Sequence, residues 1–310
     1  MEMRQALAKE LDRLMEINPN IVVIDADLSK PNGLMALKKK YPERAFDVGI
    51  AEQNMASIAA GMSSYGFIPF INTFTPFATR RICDQIAISI AYAKQNVKII
   101  GTDPGISAEY NGGTHMSFED IGVLRSIPDI VIFEPVDTVQ LSKAMPQILD
   151  YNGPVYIRMF RKEISNIFSK EEQFSLFSTS NLQKGNDLSI FCSGLMVQET
   201  MKANEELSKI GIKADIINVH TLKPLDKPSI LKSVKKTGAV LTVENHNVIG
   251  GLKSAICEFL MEEYPVPLKS IGINDKFGQV GKIDYLKKIY KMQAEDIVKA
   301  AVEIKSKRKN

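Results

Sequence analysis

Short apolar runs that alternate with segments of helical periodicity restrict the fold of this chain more than any other feature. Residues 21–24 form a continuous apolar stretch, residues 97–101 form another mostly apolar one, and leucines at helical spacing precede the first over residues 3–17. A strand that is apolar on both faces belongs inside a parallel sheet, and strand–helix alternation builds such sheets. The sequence therefore predicts an α/β fold with two domains, each a mainly parallel sheet wrapped by helices.

A change of composition marks the predicted boundary between the domains. Between residues 162 and 185 the alternation gives way to Ser, Lys, Glu and scattered Phe, and it resumes afterwards. A chain of 310 residues suits two α/β domains of roughly 100–200 residues each. We predict a first domain over residues 1–165, a linker over 166–186 and a second, smaller domain over 187–310.

Periodicity also predicts individual elements. In the first domain we expect a strand at 45–48, a helix over 52–64 and one long helix over 76–94. In the second domain we expect strands at 188–192, 214–218, 239–243 and 268–271.

Composition excludes several classes of partner. The net charge of +3 is small for this length, which argues against a nucleic-acid partner, and no apolar run approaches the roughly 20 residues of a membrane helix. Cys83, Cys192 and Cys257 are odd in number and far apart, so neither a disulfide framework nor a zinc site is expected. These features predict a cytoplasmic protein.

Polar residues follow several of the predicted parallel strands. Ligands of such sheets lie outside the carboxyl ends of the strands, so these side chains are expected to converge. A site of this composition suits a flat heteroaromatic ligand and a small polar substrate. Its members are Asp25, Asp27, Glu52, the turn at 72–77, Asp103 and the loop leading to His115.

Glu52 has a simple alternative role. It stands at the start of the predicted helix over 52–64, where a carboxylate is stabilised by the helix dipole. The helix carries small residues at Ala56, Ser57, Ala59 and Gly61, which permit either close packing within the domain or a close partner contact.

Several segments resemble the transketolase family in order and spacing. The first four are similar to its pyrimidine-binding half and the last to its C-terminal domain, so the resemblance covers nearly the whole chain. Deoxyxylulose-phosphate synthases and pyruvate dehydrogenase β subunits share part of the pattern. The segments are Asp47-Val-Gly-Ile-Ala-Glu-Gln-Asn-Met55, Asn72-Thr-Phe-Thr-Pro-Phe-Ala-Thr-Arg-Arg81, Gly112-Gly-Thr-His-Met-Ser-Phe-Glu-Asp120, Leu124-Arg-Ser-Ile-Pro128 and Val243-Glu-Asn-His-Asn-Val-Ile-Gly-Gly-Leu252.

The resemblance implies a thiamine diphosphate enzyme that transfers a two-carbon ketol unit between sugars. It assigns to Glu52 the contact with the cofactor's aminopyrimidine that activates the cofactor, and it places Phe74 and Phe77 around that ring. Asp27 matches an aspartate near the cofactor, with a strand-end turn as its alternative role. His115 matches a catalytic histidine that contacts the donor sugar's hydroxyl groups.

Four positions bear on the substrate. Arg4 and Arg161 match arginines that hold the sugar phosphate in this family, although both could simply be solvated. Asp103 and Asn111 depart from the family pattern, which has histidine and aspartate there. A carboxylate at 103 would repel a phosphate, so we expect a sugar other than the ordinary pentose and hexose phosphates.

The family's diphosphate motif, Gly-Asp-Gly followed by an asparagine, is missing from the sequence. The resemblance therefore implies the C-terminal subunit of a split transketolase. A separate N-terminal subunit would hold the diphosphate and Mg²⁺ (or Ca²⁺), in an expected α2β2 assembly. The small residues of the helix over 52–64 are a predicted partner contact.

Alternative functions remain open on the sequence. One is a 2-oxo acid dehydrogenase β subunit or a deoxyxylulose-phosphate synthase type of enzyme. Another is a non-catalytic scaffolding subunit, against which the presence of Glu52 argues. We predict a structural role for His246 and assign none to His220.

Overall fold

The first sheet has the predicted parallel core. The structure is a computed structural model that describes residues 1–308. Six strands of the first domain run parallel in the spatial order β5-β6-β4-β3-β1-β2. Their bounds are β1 Ile21–Asp25, β2 Ala45–Asp47, β3 Ile68–Phe74, β4 Lys98–Thr102, β5 Val131–Phe133 and β6 Val155–Met159.

Helices cover both faces of this sheet, because its strands are buried on both sides. One face packs against α1, α2 and α6, which are Met3–Ile17, Met35–Lys40 and Thr138–Asp150. The other face packs against α3, Glu52–Ser64, and α5, Asp120–Arg125. The α/β prediction is confirmed.

The predicted long helix over 76–94 is wrong. The segment contains a short helix α4, Thr75–Ala78, a 3₁₀ turn, Arg80–Ile82, and a π-helix, Gln85–Tyr92. Thr79 has φ −133° and ψ −83°, and its hydroxyl donates to the Thr75 carbonyl at 2.7 Å. The threonine side chain therefore competes with the helical backbone, and helix α4 ends there.

A five-stranded sheet forms the second domain. Four parallel strands lie in the order β12-β11-β8-β9, and β7 adds an antiparallel edge next to β9. The sequence predicted neither β7 nor helix α10. The strands are β7 Ser180–Gln183, β8 Leu188–Cys192, β9 Ala214–Asn218, β11 Val240–Asn247 and β12 Leu268–Ile273. The helices are α7 Met196–Lys209, α8 Lys227–Thr237, α9 Leu252–Glu263, α10 Ile283–Ile289 and α11 Ala294–Lys305.

One strand crosses between the domains. β10, Thr221–Lys223, leaves the second domain and pairs antiparallel with β5 at the edge of the first sheet. The Glu134 amide donates to the His220 carbonyl at 2.7 Å beside this pairing. The seven-stranded sheet is thus completed by the second domain. Within residues 1–308, no helix is long and apolar enough to cross a membrane.

Lys98 gives the first sheet a testable electrostatic property. Its side chain is fully buried, and Nζ donates to the Tyr151 and Gly153 carbonyls at 2.6 and 2.9 Å. Burial lowers the pKa of Lys98 from 10.5 to about 7. The unfolded chain therefore binds more protons than the folded chain between those two values.

We expect the free energy of unfolding to rise between pH 7 and pH 9 more steeply in the wild type than in Lys98→Met. The contribution of one such group is at most about 1.4 kcal/mol per pH unit. Urea unfolding of both proteins across this range measures the difference, and parallel curves would contradict the expectation.

Candidate functional site

Four predicted site residues are grouped at the carboxyl edge of the first sheet. Glu52 begins α3 just after β2, Phe74 ends β3, Phe77 lies in α4, and His115 lies in the loop after β4. The His115 ring is 6.0 Å from the Phe74 ring and 5.2 Å from the Phe77 ring, in edge-on geometry. Parallel strands present their carboxyl ends at one edge, which is why residues so distant in sequence meet.

A buried carboxylate adjoins this aromatic cluster. The side chain of Glu52 is only 4% exposed, and its Oε1 accepts a hydrogen bond from Arg81 Nη1 at 2.8 Å. The Arg81 guanidinium also lies over the Phe77 ring, 3.9 Å from its centroid, and remains 43% exposed. Arg81 therefore links Glu52 to the rings. It was not among the predicted site residues, because the interruption that brings it to Glu52 lies inside the expected long helix.

His115 is held by its own turn. Thr114 Oγ1 lies 2.8 Å from His115 Nδ1, and the His115 amide donates to the Gly112 carbonyl at 3.0 Å. Gly112 has φ +68°, a conformation that side chains disfavour, so this turn requires glycine. Asn111, which ends the preceding 3₁₀ segment, is exposed.

The buried Asp103 pairs with the partly buried Arg161. Arg161 Nε donates to Asp103 Oδ2 at 2.6 Å, Nη2 contacts the same oxygen, and the Arg161 amide donates to Asp103 Oδ1 at 3.2 Å. Burial raises the pKa of Asp103, and the adjacent guanidinium opposes that rise. The guanidinium also stacks on Phe74, 4.8 Å from the ring centroid. Asp103 therefore acts on any anion chiefly through Arg161, whose charge it balances.

Arg4 is likewise engaged by a carboxylate. Its Nε donates to Glu2 Oε2 at 2.6 Å and its Nη1 to the Pro31 carbonyl at 2.9 Å. Its backbone amide donates to the Arg161 carbonyl at 3.1 Å, so the two arginines are neighbours in the fold. Neither arginine is a free guanidinium.

The two aspartates after β1 differ in their surroundings. Asp25 is buried, accepts from Asn72 Nδ2 at 2.7 Å, and burial raises its pKa to about 6. Asp27 is exposed with φ +58°, and its amide donates to Asp47 Oδ1 at 2.9 Å. Asp27 lies at the same sheet edge as Glu52, but no contact joins it to the aromatic cluster.

Arg158, which neighbours Arg161 in sequence, is fully buried between the domains. Its Nε donates to Asp120 Oδ2 at 2.6 Å, its Nη1 contacts Glu134, and its Nη2 donates to the Asn245 carbonyl at 2.8 Å. His246 is 3.9 Å from Asp120, and burial lowers its pKa to about 4. These contacts give both residues a structural place at the boundary between the domains.

His220 has a similar setting. It is 1% exposed, its Nε2 lies 3.1 Å from the Ser175 carbonyl, and burial lowers its pKa to about 4.

The small residues of α3 mostly serve their own domain. Ala56 and Ala59 are fully buried in the core beneath β3, which corrects the expectation that they form a partner contact. Ser57 and Gly61 are exposed, and a Cβ at Gly61 would meet nothing within 4 Å. Large apolar side chains are exposed around this helix, namely Ile50, Tyr65, Ile88 and Tyr92.

The donor set suits one end of thiamine diphosphate. A buried carboxylate beside aromatic rings fits an aminopyrimidine, which offers ring nitrogens and a flat apolar face. Among residues 1–308, no group of three or more His, Cys, Asp or Glu side chains is arranged to hold a metal ion. The residues present therefore fit the pyrimidine, and they provide no carboxylate cluster for a metal diphosphate.

Two family models account for the chain. Residues 1–166 match the transketolase pyrimidine-binding domain, and residues 179–297 match the transketolase C-terminal domain. The chain belongs to the transketolase family. That family implies thiamine diphosphate as cofactor.

Relatives extend over the whole chain. It is 49% identical to the 6-deoxy-6-sulfo-D-fructose transketolase subunit of Clostridium sp. (strain MSTE9), over 97% of this chain and 94% of that one. It is 32% identical to a subunit of the apulose-4-phosphate transketolase of Phocaeicola vulgatus, over 98% of this chain and 97% of that one. A solved split-gene transketolase, described as an inactive β4 tetramer, matches with a TM-score of 0.92 and 38% identity over both full chains. The chain is thus organised as the C-terminal subunit of a split transketolase.

The buried position of Arg158 predicts a large stability effect. Arg158→Met would leave Asp120 and Glu134 without their cation, so we expect the free energy of unfolding to fall by roughly 3–5 kcal/mol. The exposed Arg80, paired with Glu119 at 2.7 Å, is the matched control. Arg80→Met should change the free energy of unfolding by about 1 kcal/mol or less. Urea unfolding checks both values, and equal effects would contradict the assignment.

Proposed function

We propose that this chain supplies the cofactor-activating carboxylate of a split, thiamine diphosphate-dependent transketolase, which moves a two-carbon ketol unit from a ketose to an aldose. The observation that carries the proposal is the buried Glu52, which Arg81 links to the Phe77 ring of the cluster formed by Phe74, Phe77 and His115. A scaffold has no use for a carboxylate buried at a sheet edge next to aromatic rings.

Each residue of the cluster has a distinct task. Thiamine diphosphate, when bound, supplies the nucleophilic carbon and the electron sink of the reaction. Glu52 would hold a proton in a hydrogen bond to a ring nitrogen of the aminopyrimidine, where burial strengthens the bond. Phe74 and Phe77 would pack around that ring. His115 Nδ1 is engaged by Thr114, which leaves Nε2 to exchange a proton with a substrate hydroxyl.

A separate N-terminal subunit would complete the site. It would hold the diphosphate and Mg²⁺ (or Ca²⁺), for which this chain lacks the Gly-Asp-Gly motif. The exposed apolar residues around α3, among them Ile50 and Tyr92, suit a buried subunit contact. The related solved chain is inactive as a β4 tetramer, which agrees with a need for the second subunit. We propose an α2β2 assembly in the cytoplasm, where the three free cysteines stay reduced.

The donor is proposed to carry a singly charged sulfonate instead of a phosphate, as the name of the 49% identical relative suggests. Asp103 balances Arg161, and Glu2 balances Arg4, so the predicted anion site carries less positive charge than two free arginines would. A dianionic phosphate loses more from that reduction than a monoanionic sulfonate does. With 6-deoxy-6-sulfo-D-fructose, cleavage between C2 and C3 would leave a four-carbon aldose bearing the sulfonate, and the acceptor aldose would gain two carbons.

Glu52→Gln tests the catalytic role. In the pair reconstituted with its N-terminal subunit, we expect ketol transfer to fall by roughly 10²–10⁴-fold, because the amide cannot hold the required proton. Glu16→Gln, which removes an exposed carboxylate, should leave the rate unchanged. Unchanged turnover in Glu52→Gln would favour a scaffolding subunit. Release of CO₂ from pyruvate, without ketol transfer, would favour a 2-oxo acid dehydrogenase or deoxyxylulose-phosphate synthase activity.

A donor panel tests the charge argument. We expect a higher kcat/KM for 6-deoxy-6-sulfo-D-fructose than for xylulose 5-phosphate or apulose 4-phosphate. Asp103→Asn frees the charge of Arg161, and we expect it to improve the phosphate donors relative to the sulfonate by about tenfold, or about 1.4 kcal/mol. Glu163→Gln removes a highly exposed carboxylate and serves as control. Normal efficiency of the wild type on xylulose 5-phosphate would defeat this proposal.

A further inference from the structure

We infer that the second domain shapes the substrate site, with Asn245 as a positioning residue. The substrate loop is defined here as residues 103–118, which carry Asp103, Asn111 and His115. The loop belongs to the first domain in sequence, but its apolar residues pack in the core of the second domain. This inference rests on the proposed function for the role of the loop, while the placement of the loop stands on its own contacts.

The apolar residues of the substrate loop lie in the core of the second domain. Ile106, Ala108, Met116 and Phe118 are all buried, and they pack in one cluster with residues of α7, α10 and α11. The Phe118 ring meets the Tyr290 ring edge-on, with centroids 5.7 Å apart. The segments on both sides of Asn111 and His115 are therefore anchored in the opposite domain.

Asn245 fixes the first part of the substrate loop. It is 1% exposed at the end of β11; its Oδ1 accepts from the Ile106 amide and its Nδ2 donates to the Pro104 carbonyl, both at 2.9 Å. Gly105 lies between these two contacts with φ +58°, and a Cβ there would collide with Asn245 Oδ1. One side chain thus satisfies two backbone groups of the loop across the domain boundary.

A second contact fixes the turn that carries His115. A Cβ at Gly113 would lie 2.8 Å from the Gly278 carbonyl oxygen, and a Cβ at Gly112 would lie 2.9 Å from Val280 Cγ2. Both neighbours belong to the segment that connects β12 to α10. Beyond the turn, the Asn247 amide donates to the Phe118 carbonyl at 2.9 Å. The turn that carries His115 is consequently packed against the second domain, while the His115 ring contacts aromatic rings of the first domain.

A displaced loop should impair the reaction more than cofactor binding. Misplacement of a reacting group by about 1 Å can cost 10²-fold in rate. Glu52, Phe74 and Phe77 lie outside the substrate loop, so the pyrimidine contacts do not depend on Asn245. We expect Asn245→Ala to lower kcat/KM for the ketose donor by about 10- to 100-fold, with the Kd of thiamine diphosphate changed by less than about threefold.

Lys223→Met is the matched control. Lys223 also donates across the domain boundary to two backbone carbonyls, those of Arg125 and Ile127, but these lie outside the substrate loop. Both variants are assayed in the reconstituted complex. An equal loss of kcat/KM in the two variants, or a loss in neither, would overturn the positioning role of Asn245.

Histidine NMR gives a readout that does not depend on activity. The chain has three histidines, and His220 and His246 are buried, so ¹³C-histidine labelling of this subunit reports His115 as a separate environment. We expect the His115 ring signal to shift in Asn245→Ala and to stay in place in Lys223→Met. If Asn245→Ala does not fold, Gly278→Ala replaces it, because its Cβ would lie 2.5 Å from Met116 Sδ and displace the same turn.

The outcomes separate the two proposals. A shifted His115 signal in a complex whose wild type shows no ketol transfer would retain the loop placement and reject the proposed function. An unshifted signal in both Asn245→Ala and Gly278→Ala would reject the loop placement, whatever the activity.

Discussion

The buried guanidinium of Arg158 is the interaction on which the rest of the structure depends. It lies at the end of β6 with no exposed surface, and its partners come from α5, from the segment after β5 and from β11 of the second domain. A buried cation is tolerated only when it is paired and hydrogen-bonded. Both compensating carboxylates, Asp120 and Glu134, belong to the first domain, and the second domain adds the Asn245 carbonyl. Separating the two domains would remove that carbonyl from Arg158, so this buried group also ties the position of β11 to the first sheet.

The site inherits its precision from that fixed boundary. Glu52 and the phenylalanines are placed by the first sheet alone, whereas the loop that carries His115 is packed between the two domains. The Asp103–Arg161 ion pair is placed by the first sheet, because the two residues follow the ends of the neighbouring strands β4 and β6 and meet at the sheet edge. The proposed cofactor residues Glu52, Phe74 and Phe77 are thus supported by the first domain, whereas the loop that carries the proposed substrate residue His115 is supported by both domains.

The sequence predicted what depends on local patterns and missed what depends on tertiary contacts. The central strands are apolar on both faces, so they could be predicted from the sequence. Ligands of parallel sheets lie at the carboxyl ends of the strands, and this rule predicted that Glu52, Phe74 and His115 lie near one another. The prediction of one helix over 76–94 was wrong because the helix is interrupted at Thr79, whose hydroxyl donates a hydrogen bond to the Thr75 carbonyl. β10 has three residues and no periodicity, and its partner is 88 residues away (Thr221 and Phe133). Asp103 and Arg161 are 58 residues apart in sequence, and no local pattern predicts that they pair.

The crossing strand β10 has a consequence for how such a polypeptide can be divided. Each of the two family models describes one domain, which suggests two separable modules. A cut between residues 166 and 179 would nevertheless remove β10 and leave β5 as an unpaired edge, and open edges promote aggregation. The boundary between the two family models therefore does not separate two complete sheets. In a gene that encodes the chain, a break inside the linker should yield fragments that recover function only when both are present.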